Sequence, residues 1–102
     1  MVGIDLVHIP EFDRQVSLGG EALLERAFHP SERGRTEIEH LAGLWAAKEA
    51  VMKALGMKPG AWLDIVISYS ENGRPLATVN GRSIDISIAH HDEYAVAVAV
   101  VS

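Results

Sequence analysis

The strongest constraint on the fold is a helical pattern in the middle of the chain. Leu41, Leu44, Trp45, Met52 and Leu55 recur at spacings of three, four and seven residues. These spacings place all five side chains on one broad face of an α-helix. We therefore expect an amphipathic helix that packs this apolar face against the rest of the protein.

Signals at both ends set the length of this helix. Thr36 is followed three residues later by Glu39, which is the spacing of a capping box. Gly56 suits the left-handed residue that ends a helix. The pattern predicts a helix over roughly residues 37 to 55, about 28 Å long at about 1.5 Å per residue, which makes it the long central helix of the domain.

Shorter elements precede this helix. The stretch 2–9 is apolar and β-branched, which predicts a buried strand, and Pro10 suits the first turn of a following helix. Two short helices are predicted over 11–17 and 21–28, because the glycine pair at 19–20 interrupts the helical pattern.

The second half of the chain is predicted to form strands. Asn72-Gly73 and Asn80-Gly81 are hairpin signals, and a third turn falls at 91–93. The isoleucines between 84 and 88 alternate with polar or small residues, so one face of that strand is apolar. The element order β-α-α-α-β-β-β-β predicts an α+β fold in a single domain, residues 1–102, with helices packed on one face of a mostly antiparallel sheet.

Composition excludes several classes of protein. The chain has 102 residues, of which 48% are apolar and 23% charged, as expected for one globular domain. A formal net charge of -5 argues against a general nucleic-acid binder, which needs a basic surface. The chain has no cysteine, which excludes disulfides and thiolate chemistry. We expect neither a membrane span nor a signal peptide, and therefore a cytoplasmic protein.

Four charged residues stand out because they interrupt apolar segments. Asp5 lies within the first strand, where a buried carboxylate needs an arginine, backbone amides or a metal as its partner. Glu49 and Lys53 have the spacing of a surface ion pair on a helix. Lys48 falls on the apolar stripe, so its amine either reaches outward past a packed stem or points into a pocket.

The same four residues also suit phosphate chemistry. Magnesium is typically held by one or two carboxylates plus substrate phosphates, and Asp5 and Glu49 offer such oxygens. Lys48 and Lys53 would suit the remaining phosphate charge. Spacing alone does not choose between this site and the structural alternatives. The five histidines have no zinc-site spacing.

Four segments, in this order, resemble the holo-[acyl-carrier-protein] synthase family, the small phosphopantetheinyl transferases. The segment LAGLWAAKEAVMKALG (Leu41–Gly56) is similar to the most specific signature of the family. GIDLVHIPEF (Gly3–Phe12) resembles its opening strand and helix, and DIVISYSENGRP (Asp64–Pro75) its strand and Gly-Arg-Pro turn. ISIAHHDEYAVAVAVV (Ile86–Val101) resembles its last two strands. The resemblance covers most of the chain and implies a 4′-phosphopantetheinyl transferase-like fold.

The resemblance also implies a reaction. The family transfers the 4′-phosphopantetheine arm of coenzyme A to a serine hydroxyl of an apo carrier protein, and adenosine 3′,5′-bisphosphate leaves. Magnesium held by Asp5 and Glu49 would neutralise the developing charge. A carboxylate, or a water held by the metal, would take the serine proton.

Further residues are implied to bind coenzyme A. Lys48 would stabilise or protonate the leaving phosphate, and Lys53 would reach a coenzyme A phosphate. The other residues expected near the nucleotide and its phosphates are Gly56, Gly73, Arg74, Pro75, Ser87 and His90.

The implied partners are an acidic apo acyl carrier protein and further copies of this chain. Glu11 stands where the family often has a basic, carrier-facing residue, and Arg14, about one helical turn later, would take its place. His8 is a separate departure, at a position where the family commonly has glutamate. The small enzymes of this family resemble one another in being trimers with active sites between subunits, which implies a homotrimer here.

Two departures from the family pattern support an alternative hypothesis. Asn80-Gly81 predicts a tight turn where many members have a helix, and Ala89 stands where the family has a hydroxyl residue. A trimmed relative that binds coenzyme A or a carrier protein without turnover would fit these departures. A plain structural domain is the third hypothesis. The sequence does not distinguish a fatty-acid carrier from a polyketide carrier.

Overall fold

A computed structural model describes all 102 residues of the protein. Five strands and two α-helices form an α+β fold, with two short 3-10 turns between them. The elements, in chain order, are β1 (Val2–His8), α1 (Ile9–Ala27), a 3-10 turn (Pro30–Glu32), α2 (Ile38–Leu55), a second 3-10 turn (Trp62–Asp64), β2 (Ile65–Tyr69), β3 (Pro75–Val79), β4 (Arg82–His91) and β5 (Tyr94–Val100).

All five strands belong to one antiparallel sheet in the order β1-β5-β4-β3-β2. The first and last strands of the chain are therefore neighbours, and Asp5 on β1 lies opposite Ala97 on β5. Strand β1 forms one edge of the sheet and β2 the other. This order separates the carboxylate of Asp5 from the β2–β3 connection by the width of the sheet.

Helix α2 packs across the inner face of the sheet and forms the core with it. The apolar stripe predicted for α2 is confirmed, because Leu41, Leu44 and Met52 are buried, and Trp45 and Leu55 pack against the core. The inner face of β5 consists of alanines at 95, 97 and 99, all buried. Such small side chains let a helix lie close to the strands.

One glycine sets the position of β1 on this helix. A Cβ atom added at Gly3 would lie 1.9 Å from the backbone oxygen of Ala50 and 2.8 Å from the backbone nitrogen of Ala54. Any other residue would push the strand away from α2. This close approach brings Asp5, two residues later on β1, to the part of α2 that carries Glu49 and Lys53.

The helix predictions hold with one exception. The two short helices predicted before α2 are confirmed as the two helical stretches of α1, which meet at a kink where Gly20 leaves helical geometry (φ 59°, ψ -150°). The capping box at Thr36 was wrong: α2 begins at Ile38, and its N-cap residue Glu37 makes no side-chain capping bond. The C-terminal stop is confirmed, since Gly56 is left-handed with φ 65°.

The hairpin predictions hold with one change. Asn80 and Gly81 both have positive φ, 51° and 78°, as a tight two-residue turn requires. The predicted turn at Asn72-Gly73 is instead part of a longer connection over 70–74, closed by a hydrogen bond from the Ser70 N–H to the Arg74 carbonyl oxygen (2.9 Å).

The outer face of the sheet carries apolar side chains that nothing in the chain covers. Val2, Ile4 and Leu6 of β1 are 69%, 58% and 64% exposed, and Val100 of β5 is 45% exposed. Their inward-facing neighbours Val7 and Ala99 are buried. A solvent-facing strand would normally alternate with polar residues, and β1 does not. No helix of the protein combines the length and the apolar character needed to cross a membrane.

Candidate active site

Asp5 and Lys53 form an ion pair between β1 and α2. The Lys53 Nζ atom donates to Asp5 Oδ1 (3.0 Å) and to the backbone oxygen of Ile4 (3.0 Å). The Asp5 side chain is largely shielded, whereas the lysine side chain is 58% exposed. The partner that Asp5 requires is therefore a lysine of the helix, and Lys53 pairs with Asp5 rather than with Glu49 four residues earlier.

Glu49 lies beside Asp5 and is half-buried. Burial raises the pKa of the Glu49 carboxyl, and the negative charge of Asp5 raises this pKa further. The indole of Trp62 and the charge of Lys53 act in the opposite direction and lower the same pKa. Two carboxylates that disfavour each other's charge across a strand–helix contact form a pair that a bound cation would stabilise.

Trp62 forms one wall of this cluster. Its ring stacks on the ring of Trp45, with centroids 4.8 Å apart and 31° between the planes. Its indole Nε1 atom is buried and has no hydrogen-bond partner, although it is near enough to Glu49 to affect the pKa of that carboxyl. No sequence signal marks this residue as functional, because a tryptophan at the start of a strand segment is typical of a core position.

Lys48 does not face the cluster, and the predicted phosphate-facing role was wrong. Its side chain is fully buried, and its amine donates to the backbone oxygens of Ala27 (2.8 Å) and Trp62 (3.0 Å) and to Glu32 Oε1 (2.7 Å). All three N–H donors of the ammonium group are therefore used inside the protein. Burial lowers the pKa of the Lys48 amine, and the Glu32 carboxylate opposes this shift.

Glu32 completes this buried ion pair. Its carboxylate accepts hydrogen bonds from the backbone N–H groups of His29 and Ile67, both at 2.7 Å, in addition to Lys48. The pair joins the end of α1, both 3-10 turns, α2 and β2. No sequence signal marks Glu32, which stands between a proline-containing turn and an arginine.

A second concave region lies over the N-terminal half of α2. It has a volume of about 680 Å³ and is lined by Gly73, Pro75 and His90, three of the residues predicted to bind the nucleotide. His40 and Tyr69 also line it, with rings 6.0 Å apart. Burial lowers the pKa of His40, and the positive charge of Arg35 and the nearby His90 lower it further.

His90 is fixed against α2 at a glycine. Its Nε2 atom is hydrogen-bonded to the backbone oxygen of Glu39 (2.9 Å), and a Cβ atom added at Gly43 would lie 3.0 Å from the same nitrogen. Ser87, by contrast, lies on the exposed outer face of β4, as expected for a residue three positions away in a strand. Arg74 is exposed at the rim of a neighbouring depression with Asp85.

The two regions are separate within one chain. None of Asp5, Glu49 and Lys53 lines the second region. Gly43 and Lys53 are ten residues apart on α2, which is about 15 Å at about 1.5 Å per residue. Gly56, also predicted near coenzyme A, follows Lys53 at the far end of the helix. The predicted site residues therefore form one acidic cluster and one nucleotide-sized cleft, and Lys48, Arg74 and Ser87 lie in neither.

No group of three or more histidine, cysteine, aspartate or glutamate side chains is close enough to hold a metal ion. Any cation at the acidic cluster would therefore have two protein carboxylates, Asp5 and Glu49, and would take its other ligands from water or substrate. This donor set is typical of magnesium with a phosphorylated substrate. A helix-backed antiparallel sheet with this cluster thus defines a small α+β protein suited to phosphate chemistry.

Comparison with known proteins supplies the family. Residues 1–99 match the 4′-phosphopantetheinyl transferase superfamily. A holo-[acyl-carrier-protein] synthase of Nautilia profundicola is 38% identical over 111 aligned positions, covering 99% of this chain and 98% of that protein. One of Campylobacter curvus is 37% identical, with 100% of both chains covered. The chain belongs to the 4′-phosphopantetheinyl transferase superfamily.

Solved structures agree with this assignment and with the fold prediction. The Helicobacter pylori holo-[acyl-carrier-protein] synthase in complex with coenzyme A is 36% identical, with a TM-score of 0.93 and 100% of each chain covered. A synthase–coenzyme A complex from Chronobacterium ammoniagenes is 34% identical, with a TM-score of 0.82, covering 96% of this chain and 92% of that one. The similarity extends over the whole sheet and both helices.

Proposed function

We propose that the protein transfers the 4′-phosphopantetheine group of coenzyme A to a serine hydroxyl of an apo acyl carrier protein. The observation that carries the proposal is the cluster of Asp5, Glu49 and Lys53, brought together by the close approach of β1 to α2. The relatives named holo-[acyl-carrier-protein] synthase, two of them solved with coenzyme A, support the substrate.

Asp5 and Glu49 are the residues that would hold Mg²⁺. Their hard oxygen atoms and mutually unfavourable charges fit a divalent cation. When bound there, the cation supplies neutralisation of the negative charge that develops on the pyrophosphate.

The residues of the chain have distinct tasks in the transfer. The serine oxygen forms a bond to the phosphorus of the phosphopantetheine arm, and the bond from that phosphorus to adenosine 3′,5′-bisphosphate breaks. Lys53, exposed beside Asp5, offers its ammonium group to a phosphate oxygen of coenzyme A. The serine proton passes to a carboxylate of the cluster or to water that the cluster holds.

The cleft at Gly73, Pro75 and His90 is the proposed nucleotide-binding region. Because it lies apart from the acidic cluster, one coenzyme A molecule would be held between the acidic cluster of one subunit and the cleft of another. Arg74, at the rim of the neighbouring depression, would contribute to the same region. The proposed homotrimer would thus complete each site.

The uncovered outer face of the sheet supports this assembly. An exposed apolar strand such as β1 is stabilised when another copy of the chain covers it. Ile4→Asp places a charge on this face without touching the core, so it should yield monomers in light scattering and strongly reduced transfer. A wild-type protein that is monomeric at assay concentration would contradict the shared site. Ser87 would be buried in the same interface.

The carrier protein is proposed to dock near Arg14, which is exposed on α1. Carrier proteins are acidic, so a charge reversal at this position, Arg14→Glu, should raise the KM for the carrier while leaving the KM for coenzyme A unchanged. Equal KM values for the carrier in wild type and Arg14→Glu would show that Arg14 is not part of the docking surface. The cytoplasm is the proposed location.

The direct test of the function is mass spectrometry of candidate apo carriers after incubation with the protein, coenzyme A and Mg²⁺. We expect each cognate carrier to gain the mass of one phosphopantetheine group. No gain with any carrier would refute the transfer and would favour the alternative of a non-catalytic relative. The tight turn at Asn80-Gly81 and the alanine at Ala89 are the observations behind that alternative. Calorimetry would then detect coenzyme A binding that does not depend on Mg²⁺.

A further inference from the structure

One polar group near the acidic cluster has no partner and no assigned task. The indole N–H of Trp62 is buried, and no acceptor in the protein meets it in hydrogen-bond geometry. Leaving such a donor unpaired costs free energy of about 1–3 kcal/mol. A phenylalanine at the same position would avoid this cost. We therefore expect the N–H to gain an acceptor when the protein binds its ligands.

The position of the ring directs this donor toward Glu49. The Trp62 ring stacks on Trp45, with centroids 4.8 Å apart. Trp45 and Glu49 are four residues apart on α2, so their side chains are neighbours on the same face of the helix. A ring packed on the first of these residues lies beside the second. The Trp62 indole also lowers the pKa of the Glu49 carboxyl.

The backbone of Trp62 is fixed from a different direction. Its carbonyl oxygen accepts a hydrogen bond from the Lys48 amine (3.0 Å), and Lys48 immediately precedes Glu49 on α2. Lys48 is itself held by Glu32 and by the backbone oxygen of Ala27. The buried ion pair and the Trp45 stack therefore constrain both the main chain and the ring of Trp62 relative to the turn of helix that carries Glu49.

We propose that Trp62 is a positioning residue for metal binding. Its indole N–H donates a hydrogen bond to the Glu49 carboxylate when that carboxylate holds a divalent cation, and the Lys48–Glu32 pair keeps the indole in place for this purpose. The inference rests on the proposed metal-binding role of Glu49. Lys53 has the corresponding relation to Asp5, so each carboxylate of the cluster has one donor that orients it. Such outer donors fix the geometry of ligating carboxylates.

The test is a titration of the free protein with Mn²⁺ as the probe, followed by electron paramagnetic resonance of the unbound ion. Trp62→Phe keeps an aromatic ring against Trp45 and removes the N–H donor together with part of the indole ring. We expect it to weaken Mn²⁺ binding about tenfold or more, the usual effect of losing an outer-shell donor. Trp45→Phe is the matched control: it makes the same reduction in size on the stacking partner but keeps the Trp62 N–H donor, so it should weaken binding far less than Trp62→Phe. Equal affinities of wild type and Trp62→Phe would overturn the proposal, as would equal losses in both variants.

A second measurement uses a protein with its Trp62 intact. The chain has two tryptophans, so Trp45→Phe leaves a single indole N–H signal in a nitrogen-15 spectrum. Addition of diamagnetic Mg²⁺ should shift this signal downfield as the hydrogen bond forms. A signal that does not move at saturating Mg²⁺ would contradict the proposal even if Trp62→Phe failed to fold.

These results separate the inference from the proposed function. If the wild-type protein modifies a carrier but Trp62→Phe binds Mn²⁺ as tightly as wild type, the positioning role fails and the transferase function stands. If the wild type modifies no carrier but the Mn²⁺ affinities differ as expected, the positioning role stands and the transferase function fails. A wild-type protein that binds no Mn²⁺ would overturn the positioning role.

Discussion

The two lysines of α2 lie five residues apart in the sequence and in opposite surroundings. Lys48 is fully buried and gives all three of its donors to Glu32 and two backbone oxygens. Lys53 is 58% exposed, and its pair with Asp5 lies at the edge of the sheet. The comparison indicates that the first lysine holds the scaffold together, while the second is free to meet a substrate.

The physical basis of this difference is the cost of desolvation. A buried ion pair such as Lys48–Glu32 balances a large desolvation penalty against its hydrogen bonds, so removing one partner leaves a charge with no compensation. An exposed pair such as Lys53–Asp5 is screened by water and contributes about 0–1 kcal/mol. Lys53 can therefore exchange Asp5 for a phosphate group at little cost in stability.

The largest expected effect is on transfer activity and concerns the Asp5–Lys53 pair. Asp5→Asn removes a proposed metal ligand and the partner of Lys53 together. Because the charge stabilisation supplied at such a site is worth several kcal/mol, we expect transfer to fall about 100-fold or more. Steady-state transfer of phosphopantetheine at saturating Mg²⁺ measures this. Asp13→Asn, on the exposed face of α1, is the control and should retain normal turnover. Normal turnover in Asp5→Asn would show that Asp5 is not an active-site residue.

The next largest effect is on the free energy of unfolding and concerns the buried Lys48–Glu32 pair. Lys48→Met leaves the Glu32 carboxylate buried without its cation, so the free energy of unfolding should fall by about 3–5 kcal/mol. Chemical denaturation followed by circular dichroism measures the loss. Adding Glu32→Gln to this variant removes the unpaired charge and should restore part of the stability, since the amide oxygen still accepts from one of the two backbone N–H groups. A loss below about 1 kcal/mol in Lys48→Met would contradict the structural role of the pair.

A smaller effect is expected at the strand–helix contact on which the active cluster depends. Gly3→Ala would place a Cβ atom 1.9 Å from the Ala50 backbone oxygen, so β1 must move away from α2. Overpacking of this kind typically lowers the free energy of unfolding by about 1–3 kcal/mol. Transfer should fall as well, because Asp5 moves with the strand. Gly34→Ala, where a Cβ atom meets nothing within 4 Å, is the stability control and should leave the free energy of unfolding unchanged. Wild-type stability and rate in Gly3→Ala would show that the contact is dispensable.

The smallest expected effect concerns stability at Lys53. Lys53→Met should change the free energy of unfolding by less than about 1 kcal/mol, because the pair with Asp5 is exposed. The same variant should lose transfer activity, since a cation beside the phosphates is missing. Denaturation and transfer assays on one preparation measure both quantities. A large loss of stability, or full transfer activity, would contradict the claim that Lys48 is structural and Lys53 functional.

Much of the fold could be predicted from the sequence. The apolar stripe and Gly56 predicted both ends of α2 to within one residue. The helical spacing of apolar residues and a glycine that ends a helix in the left-handed conformation are both local signals. The two helical stretches expected before α2 are confirmed, because Gly20 leaves helical geometry and divides α1 where the glycine pair predicted a break. The turn at Asn80-Gly81 followed from backbone chemistry alone. The strand order of the sheet depends on contacts between distant segments, which no local signal gives.

The site was predicted less completely. Asp5 and Glu49 do lie together, as the family resemblance implied, but the orientation of Lys48 depends on Glu32, a residue sixteen positions away whose burial no pattern marks. The indole of Trp62 was missed for the same reason. Gly3 was a usable signal, since an isolated glycine inside a strand indicates a close backbone approach. The direction of a side chain on a helix face depends on contacts with residues that are distant in the sequence.

The measurement that tests the central claim most directly compares Glu49→Gln with wild type in the transfer reaction. Each protein is incubated with apo acyl carrier protein, coenzyme A and Mg²⁺, and the intact mass of the carrier is followed with time. Glu39→Gln, an exposed glutamate on the same helix, is the control. We expect wild type and the control to add one phosphopantetheine group, and Glu49→Gln to add it at least about 100-fold more slowly with its fold intact. Equal rates in all three proteins would contradict the account.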